Sequence, residues 1–441
     1  MKFSGKQVVF ISFMLFSMFF GAGNLIFPPF LGQSAGAHFW TALIGFIVSA
    51  VGLPILGVIS VAMAGSFNDL NQRVHPVFAL VFPFLIYIAI GPGLAIPRAG
   101  SLAFEMGVAP FLPEALMESP VSLFIYSILF FGLVTWLCMY PSKLIHLFGK
   151  LLTPILLALI AIIFIKSLID PIGPHGAPKG NYQISPVFQG FLDGYLTMDA
   201  LAALAFGIVI ANTLTAQGVL DNKKRSVYMM YAGLGAGLLL TLIYLILGYL
   251  GAASASLGHA ENGAIILSNV MTHLFGKSGT LLLGIVFTLA CFCVSIGLIT
   301  SCSQFFSNAL PRVTYKIWVL IVAVLSTAIA NLGLTQILQI SVPILGMIYP
   351  IAIVLIFLGL FDNFVKGKRY IYISVIGFVA IFSLIDTVNK TFLGNKWSNA
   401  FGILPFYHEG IGWIIPALIG LIVGYLMGMF KGDTSFPEKT A

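Results

Sequence analysis

From Gln7 onward the chain alternates long apolar runs with short polar interruptions. A window of about 19 residues resolves about twelve runs, roughly 7–31, 38–64, 76–98, 120–141, 143–166, 187–212, 226–250, 279–309, 313–331, 336–361, 369–388 and 410–430. Runs of this length span a bilayer as helices, because hydrocarbon supplies no water to the backbone and each segment must bond internally. The pattern therefore predicts an all-α membrane protein. Two runs are not clean. The first is apolar from Gln7 to Phe20, meets Gly21-Ala22-Gly23-Asn24, and resumes toward Pro28 and Pro29. The sixth, FQGFLDGYLTMDALAALAFGIVIANTL, carries Asp193, Gly194, Thr197 and Asp199 where a lipid-facing helix holds leucines. Both predict interrupted helices. The stretch AENGAIILSNVMTHLF, between residues 251 and 278, is too polar to cross and predicts a helix lying over the external face.

Composition agrees with that pattern. The 441 residues are 59% apolar and 8% charged, with a mean hydropathy of +1.05, far from the quarter-charged soluble average. Lys2 and Lys6 ahead of apolar Val8–Phe20 also fit a signal peptide, but the recurrence of such runs favours a first span. An even number of spans puts both termini on one side. That side collects Lys2, Lys6, Arg73, Lys143, Lys150, Lys223, Lys224, Arg225, Arg312, Lys316, Lys366, Lys368, Arg369, Lys431 and Lys439, leaving six basic residues, Arg98 among them, for the other face or the membrane. The positive-inside rule then expects a multi-pass protein of the cytoplasmic membrane with both ends in the cytoplasm. The net charge of +7 is topology, with anionic lipid as a partner for Lys223–Arg225. No aromatic interleaving suggests nucleic acid. Trp40, Trp136, Trp318 and Trp413 fall near span ends, as interfacial rings do. Cys138, Cys291, Cys293 and Cys302 lie in apolar stretches and read as reduced packing residues. The seven histidines, including His146, are scattered at span ends and loops, so no catalytic or metal-ligand pattern argues for an enzyme.

The interruptions suggest a chemistry. Freed N–H groups at Gly21, Ala22 and Gly23 would present donors and a positive helix end to an anion. Freed carbonyls around Ser17–Phe20 and Tyr195–Thr197 would suit an ammonium or a hard cation. A free amino acid carries both charges. The first and sixth runs open two sets of five, and paired interruptions at corresponding places point to an inverted-repeat transporter with a midplane site. One transmembrane domain over 1–441 then divides into repeats at 1–166 and 187–361, followed by two additional helices at 369–430. Glycines can serve packing alone, as the GxxxGxxxG spacing of Gly420, Gly424 and Gly428 suggests. An acid inside a membrane is functional by default, which marks Asp199, whereas Asp193 reads equally as a helix-pairing residue.

GAGNLIFPP in the first run, IGPGLAIPRAGSLAFE from Ile90 to Glu105 and GYLTMDALAALAFG in the sixth together resemble the branched-chain amino acid carrier family (BrnQ, LIVCS type) of the amino acid/polyamine/organocation superfamily. The resemblance covers essentially the whole chain. It implies a LeuT-like fold, five plus five inverted repeats and two extra helices, and symport of leucine, isoleucine and valine with a cation. By the same resemblance Gly21, Ala22 and Gly23 hold the substrate carboxylate. The carbonyls of Phe19, Leu196 and Thr197 and the side chain of Asp199 hold its ammonium. The carbonyls of Ser17, Phe20 and Gly297 with the hydroxyls of Thr300 and Ser301 form a Na+ site. An acid at Asp199 departs from the small hydroxyl expected there. Asn24 is read as stabilising the break. The alternatives are H+ coupling through Asp199 or Asp193, and a non-transporting amino acid sensor. The sequence leaves the oligomeric state open, with a monomer sufficient for such a site.

Overall fold

A computed structural model describes residues 5–117, 119–140, 148–365 and 368–431. Lys2, Lys143, His146, Lys366 and Lys439, like the junction of the fourth and fifth expected spans, lie outside the described residues. Within them the chain is helical and holds no strand. The helices are α1 (Gly5–Phe19), α2 (Ala22–Ala35), α3 (Phe39–Ile47), α4 (Leu53–Ala64), α5 (Phe67–Gln72), α6 (Pro76–Ile88), α7 (Ala95–Gly107), α8 (Pro120–Cys138) and α9 (Thr153–Ile169). They continue as α10 (Pro186–Tyr195), α11 (Asp199–Ala216), α12 (Asn222–Ala253), α13 (Gly263–Phe275), α14 (Lys277–Ala309), α15 (Tyr315–Ala330), α16 (Leu334–Leu360), α17 (Arg369–Thr391) and α18 (Ile414–Lys431). Among the described residues nine helical runs are long and apolar enough to cross a membrane. The expected first, ninth and twelfth spans involve the shorter apolar helices α1, α15 and α18.

Local chemistry starts these helices. Proline opens α6, α8 and α10, where the missing N–H has no helical partner anyway. The Asp221 carboxylate caps α12 by accepting from the Lys224 amide at 2.9 Å. Asn262 caps α13 by accepting from the amides of Ala264 and Ile265 at 3.0 Å. That helix is the expected non-spanning element, and it buries Ile266, Leu267, Val270 and Met271 against its neighbours.

Small residues set the closest helix contacts, as membrane packing requires. A Cβ on Gly32 of α2 would lie 2.0 Å from the Gly248 carbonyl oxygen of α12, so these two backbones touch. Gly420 and Gly424 of α18 press on the backbone of α17 at Val375 and Ile371 in the same way, as their spacing predicts. The four cysteines are free and buried. Trp40 and Trp136 are exposed like interfacial rings, while Trp413 is buried at the margin of an internal cavity.

The third expected span ends differently from its sequence pattern. It continues past Arg98 to the end of α7 at Gly107, after a kink at Ala89–Gly93 where Gly91 leaves helical geometry (φ −87°, ψ −125°). Arg98 and Ser101 look like the polar margin of a span but are buried inside the bundle.

Candidate substrate site

Three interrupted helices meet at the centre of the molecule. At the first, the Phe20 amide still reaches the Phe16 carbonyl at 2.7 Å, and then Gly21 turns extended (φ −137°, ψ −154°). Its amide does not continue the helix onto Ser17 but donates to Asn24 Oδ1 at 3.1 Å. The first-turn amides of α2 follow at once, so the positive end of a helix begins in the bundle interior.

At the second, α10 tightens through Leu196, Thr197 and Met198, whose amides bond the carbonyls of Asp193, Gly194 and Tyr195 at 3.1, 3.3 and 3.0 Å. Met198 then takes a left-handed conformation (φ 67°) before α11 starts at Asp199. A non-glycine residue held there stores of order 1–3 kcal/mol of strain. The Thr197 hydroxyl donates to the Gly194 carbonyl at 2.9 Å and accepts from the Asp199 amide at 3.4 Å.

Asp199 bridges the two breaks. Its Oδ2 accepts from Asn24 Nδ2 at 2.6 Å and from the Tyr244 hydroxyl at 2.8 Å, and Asn24 Nδ2 also donates to Tyr244. Asn24 therefore stabilises the first break and ties it to the second and to α12. The third break, at Gly91–Leu94, starts α7 so that its first turn delivers Arg98 to the same place. Arg98 is 3% exposed; Nη1 donates to the Leu196 carbonyl at 2.8 Å, and Nη2 lies 3.5 Å from that of Thr197. Its guanidinium also lies over the Phe27 ring, 5.7 Å from the centroid.

These groups surround a cavity of about 20 Å³ bounded by Gly21, Ala22, Gly23, Arg98, Thr197 and Asp199. By this measure one water needs about 10–15 Å³, so the cavity has room for about one water and an amino acid enters only if the surrounding helices move.

The structure brings together Gly21, Ala22, Gly23, Thr197 and Asp199, with Phe19 also at the cavity edge and Leu196 contributing its carbonyl through Arg98. The Leu196 and Thr197 carbonyls, expected to receive an ammonium, accept from Arg98 in this conformation. The residues named for Na+ are less convergent. Met18 packs on Gly297, which joins α1 to α14. The Ser17 hydroxyl, however, pairs with Thr153, Thr300 Oγ1 faces Cys138 Sγ at 3.6 Å, and Ser301 donates to the Ala205 carbonyl at 2.9 Å. Phe20 is fully buried at the end of α1 and stacks on Phe16. Asp193 stands apart, bonded to Tyr182 and accepting from Gln189 at 2.9 Å beside another cavity. Arg98 and Tyr244 were missed as site residues. The Gly91-Pro92-Gly93 before Arg98 is the one local cue, and it is a weak one because glycine and proline are common in membrane helices.

The arrangement is that of a helical membrane protein with a LeuT-like fold. MHP1, a nucleobase-cation-symport-1 family transporter solved in a closed conformation with bromovinylhydantoin bound, aligns with a TM-score of 0.65 at 14% identity, over 98% of this chain and 94% of that one. MhsT in complex with L-phenylalanine aligns at 0.58 and 15% identity, over 95% and 98%. Sequence comparison resolves the family. Residues 4–431 match the family model described as branched-chain amino acid transport protein. The chain is 46% identical over 439 residues to the branched-chain amino acid permease BrnQ of Bacillus subtilis, covering 98% of this chain and 99% of the relative. It is 40% identical over 430 residues to the branched-chain amino acid transport system 2 carrier protein of Pseudomonas aeruginosa, covering 97% of each. The chain belongs to the branched-chain amino acid transport protein family, a family of carriers and not of enzymes.

Proposed function

We propose that this chain is a secondary active symporter that imports leucine, isoleucine and valine with Na+ by alternating access, in the cytoplasmic membrane with both termini inside. The observation that carries this reading is the meeting of two broken helices at one buried point, with the α2 amide end on one side and the Asp199 carboxylate on the other. A zwitterion matches that pair of charges. Apolar side chains around the cavity, Val294 and Leu298 among them, would take the substrate's branched tail. Each buried CH₂ is worth about 0.8 kcal/mol, enough to disfavour alanine but too little to separate leucine sharply from isoleucine.

For the ion, carbonyls of Ser17, Phe20 and Gly297 and hydroxyls of Thr300 and Ser301 offer five oxygens of the kind a hard monovalent cation takes. The close approach of α1 to α14 at Met18 and Gly297 supports this reading, and ligation asks both hydroxyls to turn from their present partners. An ion there would tie the moving helices to the scaffold and favour the substrate-receiving state. A potential of 100 mV supplies about 2.3 kcal/mol per charge and a tenfold gradient about 1.4 more, so one ion supports accumulation of order several hundredfold. H+ coupling is the second reading. The observation favouring it is Asp199 itself, a buried carboxylate held by two neutral donors.

Counterflow of labelled leucine in proteoliposomes tests the assignment. Isoleucine and valine are expected to compete while lysine and glutamate do not. Inhibition by lysine at concentrations where valine is inert contradicts it, and absence of counterflow favours a sensor.

A further inference from the structure

The Arg98 guanidinium is a buried cation with an unfinished set of partners. Two nitrogens address the Leu196 and Thr197 carbonyls, while Nε has no hydrogen-bond partner. Among the described residues no carboxylate forms an ion pair with it, although Asp199 is within Coulombic reach. A full charge inside a membrane bundle is costly unless an anion meets it. Nη2 lies 2.7 Å from where a Cβ on Gly23 would stand, so the guanidinium overhangs the first turn of α2. The cavity between them is bounded by Gly21, Ala22, Gly23 and Arg98.

We propose that Arg98 is the specificity-determining residue for the substrate's carboxylate, acting together with the α2 amides, and that Asp199 receives the ammonium. This rests on the amino acid carrier reading above. In this arrangement the guanidinium occupies the two carbonyls of the second break and so joins the start of α7 to it. When the helices part, the carboxylate supplies the anion Arg98 lacks. The bonds from Asn24 and Tyr244 both run to Asp199 Oδ2. Arg98 and Asp199 then form a fixed pair of opposite charges, and a zwitterion lies antiparallel to it. The site selects for a free carboxylate, and an amine without one meets an uncompensated guanidinium.

The test measures binding of leucine and of leucinamide to the purified full-length protein, by displacement of labelled leucine and by thermal shift. The unaltered protein is expected to prefer leucine by about tenfold or more, the scale of one charge-assisted hydrogen bond. Arg98→Gln is expected to weaken leucine strongly, leave leucinamide as good or better, and bring the ratio near one. Equal loss of both ligands means a merely structural arginine and overturns the proposal, as does an unchanged ratio. If Arg98→Gln does not fold, the ratio is read on Arg98→Lys, which keeps the charge on a compact head that lacks the planar fork. A several-fold lower ratio supports the proposal, and an unchanged one overturns it. Failure of the unaltered protein to bind leucine at all defeats the carrier reading itself, and the proposal with it.

Discussion

Asn24 bonds in two directions, accepting from the Gly21 amide and donating to Asp199, so the first break and the acid of the second stand or fall together. Asp199→Asn removes the charge while keeping the shape. Leucine binding is expected to weaken by about tenfold to a hundredfold, the worth of a charge-assisted bond in a poorly solvated place, with the protein still inserted. Unchanged affinity in a direct binding measurement contradicts the role. Gly23→Val is expected to abolish leucine binding, because even a Cβ would meet Arg98 Nη2 at 2.7 Å and the Thr197 backbone at 3.1 Å. Normal transport by that variant removes the anion site. Gly21–Asn24, Thr197 and Asp199 were legible in the sequence because small and polar residues in hydrocarbon are expensive and demand a reason. Arg98 was not, since a basic residue at the margin of an apolar run looks like an anchor at the membrane surface. Tyr244 was equally hidden, because a tyrosine in an apolar run is compatible with packing alone.

Helix-level relations decide the coupling ion. Thr300 and Ser301 are consecutive on α14, so they diverge by about 100° around the helix, and the structure turns one toward α8 and the other toward α11. Thr300→Val combined with Ser301→Ala is expected to raise the Na+ concentration for half-maximal leucine uptake steeply. Wild-type Na+ dependence in the variant contradicts the site. Gly424→Val is the control: its side chain meets the α17 backbone at Ile371 and Tyr370, so it lowers the thermal midpoint while leaving substrate preference intact. The interruptions of the first and sixth runs were readable from glycine, asparagine and aspartate. The third was not, because Gly91-Pro92-Gly93 carries no charge and glycine and proline are common in membrane helices. The left-handed turn at Met198 has no sequence signature, since the position is not a glycine.

Across the whole molecule, two larger cavities approach the centre and neither opens it. One, of about 540 Å³, lies beside Asp193, Tyr195 and Leu196 and reaches the α17–α18 connection at Tyr407 and Gly410. The other, of about 550 Å³, lies beside Tyr87 and Gly207 and reaches the α4–α5 connection at Gly65 and Ser66. Neither shares a lining residue with the small cavity at Gly21–Gly23 and Asp199. Tyr87 holds the wall of the second by donating to the Ala205 carbonyl at 3.0 Å, beside Cys302 Sγ, which bonds the Tyr87 carbonyl at 3.5 Å. Tyr87→Phe is expected to loosen that wall and to raise the rate at which a permeant maleimide labels buried Cys302, followed by peptide mass spectrometry. An unchanged rate contradicts that role of Tyr87. The proposed coupling is of leucine movement to Na+. Its most direct test is labelled leucine uptake into proteoliposomes under an imposed inward Na+ gradient, compared with an inward H+ gradient without Na+. Concentrative uptake under the Na+ gradient alone is the expected result. Concentrative uptake under the H+ gradient with no Na+ present contradicts it and moves the coupling to Asp199.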